Sequence, residues 1–354
     1  MVAKYKINER VILTDSGGGR NLFVDGAITF NDSDGKTLTI KNTKKTLAPD
    51  FFTEFFHRFQ GATSGYATGG TVPPFTNVID KFPFATDGNA TDVGNLTQAR
   101  TGVAGQSSRV SGYTTAGYAT IDIIDKFSFT SDGNASDVGN LTAGRNAVGG
   151  NSSSTNGYTT GGSTNGYPIV PSDVIDKFPF SVDANATDVG NLLISRRYPG
   201  GQNSKVSGYS AGGGPPSQNI IEKFPFSTDA NTTDVGDLLV ATWGRSGQSS
   251  TTHGYASGGY PLPSAGTVIE KFSFSADGNS TDVGDLTVSK TQSAGQSSIE
   301  SGYVTGGYDL SNPSPPPTIQ TFDIIEKFPF STDANSTDVG DLTQARYGAG
   351  GQQV

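Results

Sequence analysis

The side chains of this 354-residue chain that could do chemistry recur at nearly regular spacing. In TDGNATD, Thr86 to Asp92, the residues Asp87, Asn89 and Asp92 bring three hard oxygen ligands together, a set that could hold Ca²⁺. The stretch lacks the spacing and the bidentate Glu of a known Ca²⁺ loop. A turn whose Asp and Asn oxygens accept its own backbone N–H groups is therefore expected, with no metal and no cofactor. Basic residues stand four places after a repeated leucine, at Arg100, Arg145, Arg196, Lys290 and Arg346, and Thr242 breaks the series. They could ring a channel mouth and take an anion, but pairing with a neighbouring strand's carboxylate is the favoured role.

Enzyme chemistry finds little to use. The two histidines, His57 and His253, are far apart in sequence, and there is no cysteine. A carboxylate pair about 5 to 10 Å apart would suit a glycoside hydrolase. Yet catalysis needs one repeat to differ, and the acids differ least between repeats. A non-enzymatic protein is expected, with a glycan hydrolase as the alternative. Binding has better material in the loops TVPPFTN, YATID, STNGYPIVPSD, GPPSQN, YPLPSAGT and YDLSNPSPPPTIQTFD, which vary most. They carry Phe75, Tyr118, Tyr167, Tyr260 and Tyr308 among prolines, a composition suited to stacking on sugars or docking a protein.

The elements that must position these groups are written in the repeat VIDKFPF–TDGNATDVGNL. It first runs from Val78 to Leu96 and returns with Lys126, Lys177, Lys223, Lys271 and Lys327 in place of Lys81. The lysines are 45, 51, 46, 48 and 56 residues apart, a period that suits one four-stranded propeller blade. Each unit reads as a Gly-Tyr strand ending in a glycine pair (Gly65-Tyr66 in the first), a variable loop, the VIDKFPF strand, a turn, the DVGNL strand and a last segment such as Arg100 to Ser108. Blade boundaries are expected near 110, 155, 206, 252 and 300. The chain ends in GAGGQQV, matching the segment that precedes each Gly-Tyr strand, so this last strand is expected to complete the first blade and close the circle. The predicted fold is all-β, a six-bladed propeller over residues 60–354.

Residues 1–59 lie outside the repeat. Ile28-Thr29-Phe30 and Leu38-Thr39-Ile40 alternate on either side of NDSDGK and predict a hairpin; Val11-Ile12-Leu13 and Leu22-Phe23-Val24 predict further short strands. Phe51, Phe52, Phe55, Phe56 and Phe59 follow Asp50, a good N-cap, and predict a short helix with an aromatic face. So little sequence buries too little surface to be secure alone. It is expected to anchor the propeller to a larger assembly, with homo-oligomerisation and a trimer favoured.

Composition narrows the partners. Net charge is −9, and no basic run exceeds two residues, which argues against nucleic acid. No window approaches the ~20 apolar residues that cross a bilayer, so no membrane insertion is expected. The 48 glycines and 21 phenylalanines fit a β-protein of tight turns with aromatic packing.

The order of signals resembles the kelch repeat: an Arg after a leucine, a Gly-Tyr strand, Gly-Gly, an aliphatic strand ending near an acid, then a turn and a short last strand. The resemblance covers residues 60 to 354 and implies the propeller, with a cellular kelch-type interaction adaptor as one possible role. This chain departs from kelch blades in placing Phe82 and its equivalents after the acid and in having a single tryptophan, Trp243. The turn SADGNSTD, Ser275 to Asp282, is similar to the Asp-box of sialidase propellers, which is structural. Near-identical IDKFPF and TDVGNLT repeats behind a small β-rich segment also resemble tail-fibre and other virion appendage proteins of marine bacteriophages. That likeness implies a virion protein whose propeller binds a host-surface glycan or a neighbouring virion protein.

Overall fold

Three strands of each repeat and the last segment of the repeat before it form one antiparallel sheet of four strands, and six such sheets form a six-bladed β-propeller. The computed structural model describes residues 60–119, 121–164, 168–262, 265–310 and 319–354, and the backbone of 11–15, 20–31 and 37–47. The chain divides into two units, Met1–Arg58 and Phe59–Val354. Among the described residues there is no helix, hence none long and apolar enough to cross a membrane. Blade two shows the pattern: Ala104–Ser107 is innermost, followed outward by Ser111–Thr115, Ile123–Ser128 and Ser136–Asn140. Blade one takes its innermost strand from the other end of the chain. Gly350–Gln353 pairs with Ser64–Thr68, Gly350 opposite Thr68 and Gln353 opposite Gly65, as expected from the sequence.

The expected boundaries need correction. Residues 108–110, 153–155, 204–206, 250–252 and 298–300 are hairpin tips inside blades, between the innermost strand and the Gly-Tyr strand. The cause is local chemistry. Ser108 Oγ accepts the N–H groups of Val110 and Ser111 and donates to the Ser111 carbonyl, folding the segment straight back into the strand that follows. The blade therefore begins one strand before the repeat's wording restarts.

Glycine sets how closely strands and blades approach. A Cβ on Gly112 would lie 2.3 Å from Phe127 Cζ, so only glycine lets that ring cross the Gly-Tyr strand. Tyr113 then packs against the next blade's Phe178 and Phe180, with ring centroids 5.3 and 4.9 Å away. The same interlock repeats round the circle and closes with Tyr303 on Phe82 and Phe84 at 5.5 and 4.7 Å. Nearer the axis, a Cβ on Gly105 would sit 2.2 Å from the Gly351 carbonyl oxygen, and Gly150, Gly201, Gly247, Gly295 and Gly351 are equally confined. The outermost strands are exposed edges, and each is blunted by an aspartate. Asp92 Oδ1 accepts the Gly94 N–H at 3.0 Å, as Asp137, Asp188, Asp234, Asp282 and Asp338 do in the other blades.

The N-terminal unit contains a three-stranded antiparallel sheet, Val11–Asp15, Arg20–Asn31 and Thr37–Leu47. Ile28 stands opposite Ile40 and Phe30 opposite Leu38. The strands are not short: two of them run 12 and 11 residues, because the pairing continues past an irregularity between Val24 and Ala27. The helix expected at Phe51, Phe52, Phe55, Phe56 and Phe59 lies outside the described residues.

Burial pushes the hydroxyls of Tyr66, Tyr113, Tyr209 and Tyr255 from 10.0 up to about 12. A pKa raised in the folded state gives stability that is complete below the unfolded value and lost as pH rises through the folded one. Alkaline titration should therefore leave the propeller intact to about pH 10 and unfold it cooperatively by about pH 12. Circular dichroism and tyrosinate absorbance followed together test this: the absorbance of the buried tyrosines should rise only as the sheet signal falls.

Candidate functional site

The turn residues look across the blade interface rather than into their own turns, which corrects the sequence expectation for two of the three. Asp87 pairs with Lys327 of the preceding blade at 2.9 Å, and Asn89 Oδ1 accepts the N–H of Asp341 at 3.1 Å. The arrangement recurs in every blade, for example Lys81 with Asp132 and Asn95 N–H with Asn134. Asp92 caps its own strand. Three oxygens that could have converged on Ca²⁺ each face a different donor. Among the described residues no group of three His, Asp or Glu is placed to hold a metal ion. The Lys–Asp pairs are exposed and contribute only about 0–1 kcal/mol each.

The repeated basic residues are buried and paired, not arrayed to take an anion. Arg100 meets Asp125 at 3.0 Å, Arg145 meets Asp176 at 3.0 Å, Lys290 meets Glu326 at 2.8 Å and Arg346 meets Asp80 at 2.8 Å, while Arg196 binds Glu222. Each carboxylate belongs to the next blade. Burial pushes the pKa of the Arg100 guanidinium down and the Asp125 carboxylate pulls it back; Lys290 stands in the same balance with Glu326. The gap at Thr242 is filled from three residues on, where Arg245 donates from Nε to Thr242 Oγ1 at 2.6 Å and from Nη2 to Glu270. Sequence spacing missed Arg245.

A second exchange accompanies this pairing. Thr97 and Thr142 donate their hydroxyls to Asp125 and Asp176, but Leu193 and Leu239 occupy the corresponding places before Glu222 and Glu270. There the longer Glu reaches a hydroxyl of its own blade, Thr232 or Ser280, where the Asp blades have Ala135 and Ala186. All six carboxylates, Asp80, Asp125, Asp176, Glu222, Glu270 and Glu326, are 0% exposed. A carboxylate pair for glycoside hydrolysis cannot be drawn from them.

The loop face surrounds a channel mouth ringed by backbone. Six residues, each two places beyond the basic position or Thr242, form a circle of hydrogen bonds. Gly102 N–H donates to Gly348 O at 2.9 Å, Gly348 to Gln292 at 2.8 Å, Gln292 to Gly244 at 2.8 Å, Gly244 to Tyr198 at 3.1 Å, Tyr198 to Ala147 at 2.6 Å and Ala147 to Gly102 at 2.7 Å. All six have positive φ, between 53° and 72°. A cavity of about 110 Å³ lies between the innermost strands, lined by the close-packed glycines. Ligand pockets run to about 300–1,000 Å³, so the interior has no room for a sugar.

Aromatic residues are gathered around this mouth. Phe75 and Tyr118 are exposed and meet edge to face with centroids 5.5 Å apart. Trp243 packs between Tyr198 at 5.2 Å and Tyr260 at 4.9 Å, and the Arg197 guanidinium lies 5.0 Å from the Tyr198 ring centre. Tyr308 is buried, contrary to expectation, because its backbone pairs with Thr291 and its ring packs against Tyr347 at 4.6 Å. Its hydroxyl pKa is raised by burial and by Tyr198, Tyr347 and Tyr260 nearby. Tyr308 is a brace, and Tyr347 is the half-buried ring in front of solvent. Tyr167 lies outside the described residues. The sequence reading overlooked Tyr198, Trp243 and Tyr347. Their signal was present: they occupy the one or two places after the basic position, where other repeats have Thr101, Gly102, Asn146 or Ala147.

No family model matches the chain, and no curated protein matches it. Among solved structures the chain is similar to that of YjhT, at 11% identity and a TM-score of 0.60, over 72% of this chain and 88% of that one. At this identity the likeness shows the propeller fold alone.

Trp243 is the chain's single tryptophan, so its emission reports on this site directly. A Cβ on Gly214 would lie 3.1 Å from Trp243 Cδ1, closer than a relaxed contact. Gly214→Ala should therefore displace the indole and alter its emission, with a modest fall in the thermal unfolding midpoint because the same Cβ would lie 3.2 Å from the Pro216 backbone. An unaltered spectrum would show that Gly214 does not seat the tryptophan.

Proposed function

We propose that the protein is a non-catalytic virion appendage component, of fibre or tail-associated type, whose propeller holds a host-surface glycan on its loop face. One observation carries this reading. In a chain whose repeats are otherwise nearly alike, the positions that differ most surround the channel mouth, and they hold a disproportionate share of exposed and half-buried aromatic rings. Such rings stack on the apolar faces of sugars while the surrounding hydroxyl and amide side chains supply hydrogen bonds. The phage-like wording of the repeats supports the assignment to a virion. A neighbouring virion protein is the second reading, favoured by exposed Leu193 and Leu239 on the third and fourth blades, where the other four blades carry Thr.

The chain enters the propeller on the opposite, hairpin face, where Gly61 N–H donates to Ser297 O at 2.8 Å and Thr63 N–H to Val354 O at 2.7 Å. We assign attachment to residues 1–59, with a homotrimer as the expected assembly.

Incubating the purified protein with bacterial surface polysaccharides tests the binding claim. Retention without released sugar is expected, and Trp243→Ala should weaken it about tenfold or more, the loss typical of a central aromatic anchor. Released reducing sugar would instead place the protein among glycan hydrolases. Deleting residues 1–48 should leave a folded, glycan-binding propeller that no longer oligomerises or enters particles. Normal incorporation of the truncated chain would remove the anchoring role.

A further inference from the structure

We infer that the loop face binds an internal stretch of a polysaccharide laid along a crescent of subsites, rather than a single sugar or a chain end held in a pocket. The inference rests on the glycan reading above and adds what kind of glycan and how it lies. Two features of the mouth point to it.

The first is the closed floor. A chain end entering the axis would find no free backbone group there, because the six-membered circle of peptide hydrogen bonds uses both the N–H and the C=O of each of its six residues. Beneath it the glycines are in contact, and the cavity of about 110 Å³ is smaller than a sugar needs. A ligand must lie across the surface.

The second is the order of the rings. Tyr198, Trp243 and Tyr260 are in successive contact at 5.2 and 4.9 Å. Thr291 continues the line, donating its hydroxyl to the Trp243 carbonyl at 3.4 Å and pairing its backbone with Tyr308, which packs on Tyr347. Thr71 pairs with both Tyr347 and Phe75, and Phe75 meets Tyr118. Rings or their direct neighbours thus run round the mouth from the fourth blade through the fifth, sixth and first to the second. Among the described residues the corresponding pair across the third blade is Asn146 and Ser163, neither of them a ring. Rings in succession along the mouth suit a chain that follows it from one subsite to the next. Several weak stacking contacts on one chain act together through effective concentration, so affinity should climb with ligand length.

The test uses the full chain. Polysaccharides retained from an array of bacterial surface glycans are cut by partial acid hydrolysis and separated by size, and each fraction is titrated against Trp243 emission. Affinity should rise at least tenfold from the shortest to the longest binding fraction. Tyr118→Ala, at the far end of the arc from Trp243, should weaken the longest fragments several-fold and leave the shortest unchanged, with an unfolding midpoint like that of the parent. Equal affinity for all lengths, or a Tyr118→Ala variant that binds the longest fragments normally, overturns the crescent while leaving glycan binding in place. Retention of no polysaccharide at all defeats the glycan reading itself and the crescent with it.

Discussion

Each blade's buried carboxylate is met by the chain arriving from the blade before. Asp125 of the second blade receives Arg100 and both the backbone N–H and the hydroxyl of Thr97 from the first. Asp80 of the first blade receives Arg346 and Thr343 from the last. Removing one partner of such a pair leaves a bare charge in a dry interface and costs about 3–5 kcal/mol. The pairs therefore impose a direction and a closure condition: every blade needs a predecessor, and the circle has to be complete. Replacing Asp by Glu changes the local wiring without relaxing that condition, since Glu222 still takes Arg196, and Glu270 the Leu239 N–H, from the blade before.

Other contacts obey the same direction. Gln352 donates from Nε2 to the Tyr113 carbonyl at 2.9 Å and Gln106 to the Tyr158 carbonyl at 3.0 Å, each reaching into the following blade. The tyrosines interlock with the following blade's phenylalanine pair, and the outer lysines pair with its turn aspartates. One seam is made differently. All five other tyrosines have a serine of the hairpin near the hydroxyl, whereas the place equivalent to that serine in the first blade is Val354. The Tyr66 hydroxyl is buried without a protein partner. A scaffold held from within by repeated contacts leaves its loop-face residues free to vary, and that is where the aromatic rings collect.

Much of this was legible in the sequence because a repeated unit has to meet copies of itself. The Lys81 period counted the blades, and the GAGGQQV ending showed which strand closes them. What could not be read were relations between repeats offset in space. Asp87 belongs to a turn by its neighbours in sequence but to Lys327 by its neighbours in three dimensions. Arg245 replaces a basic residue three places away, which alignment by spacing cannot see. Tyr308 looked like a loop ring, yet the backbone pairing with Thr291 draws it under Tyr347. The exchange of Asp176 with Ala186 for Glu222 with Thr232 was visible in the letters, but its meaning needed the hydroxyl-to-carboxylate contact.

The dependence of every blade on its predecessor is tested most directly by deleting residues 350–354, the innermost strand of the first blade, and following amide hydrogen exchange blade by blade. If closure holds the whole circle, protection should fall together in all six sheets and the thermal transition should lose its cooperativity. Protection retained in the second to fifth blades, with only the first blade frayed, would contradict the account and show that the blades are stable in their own right.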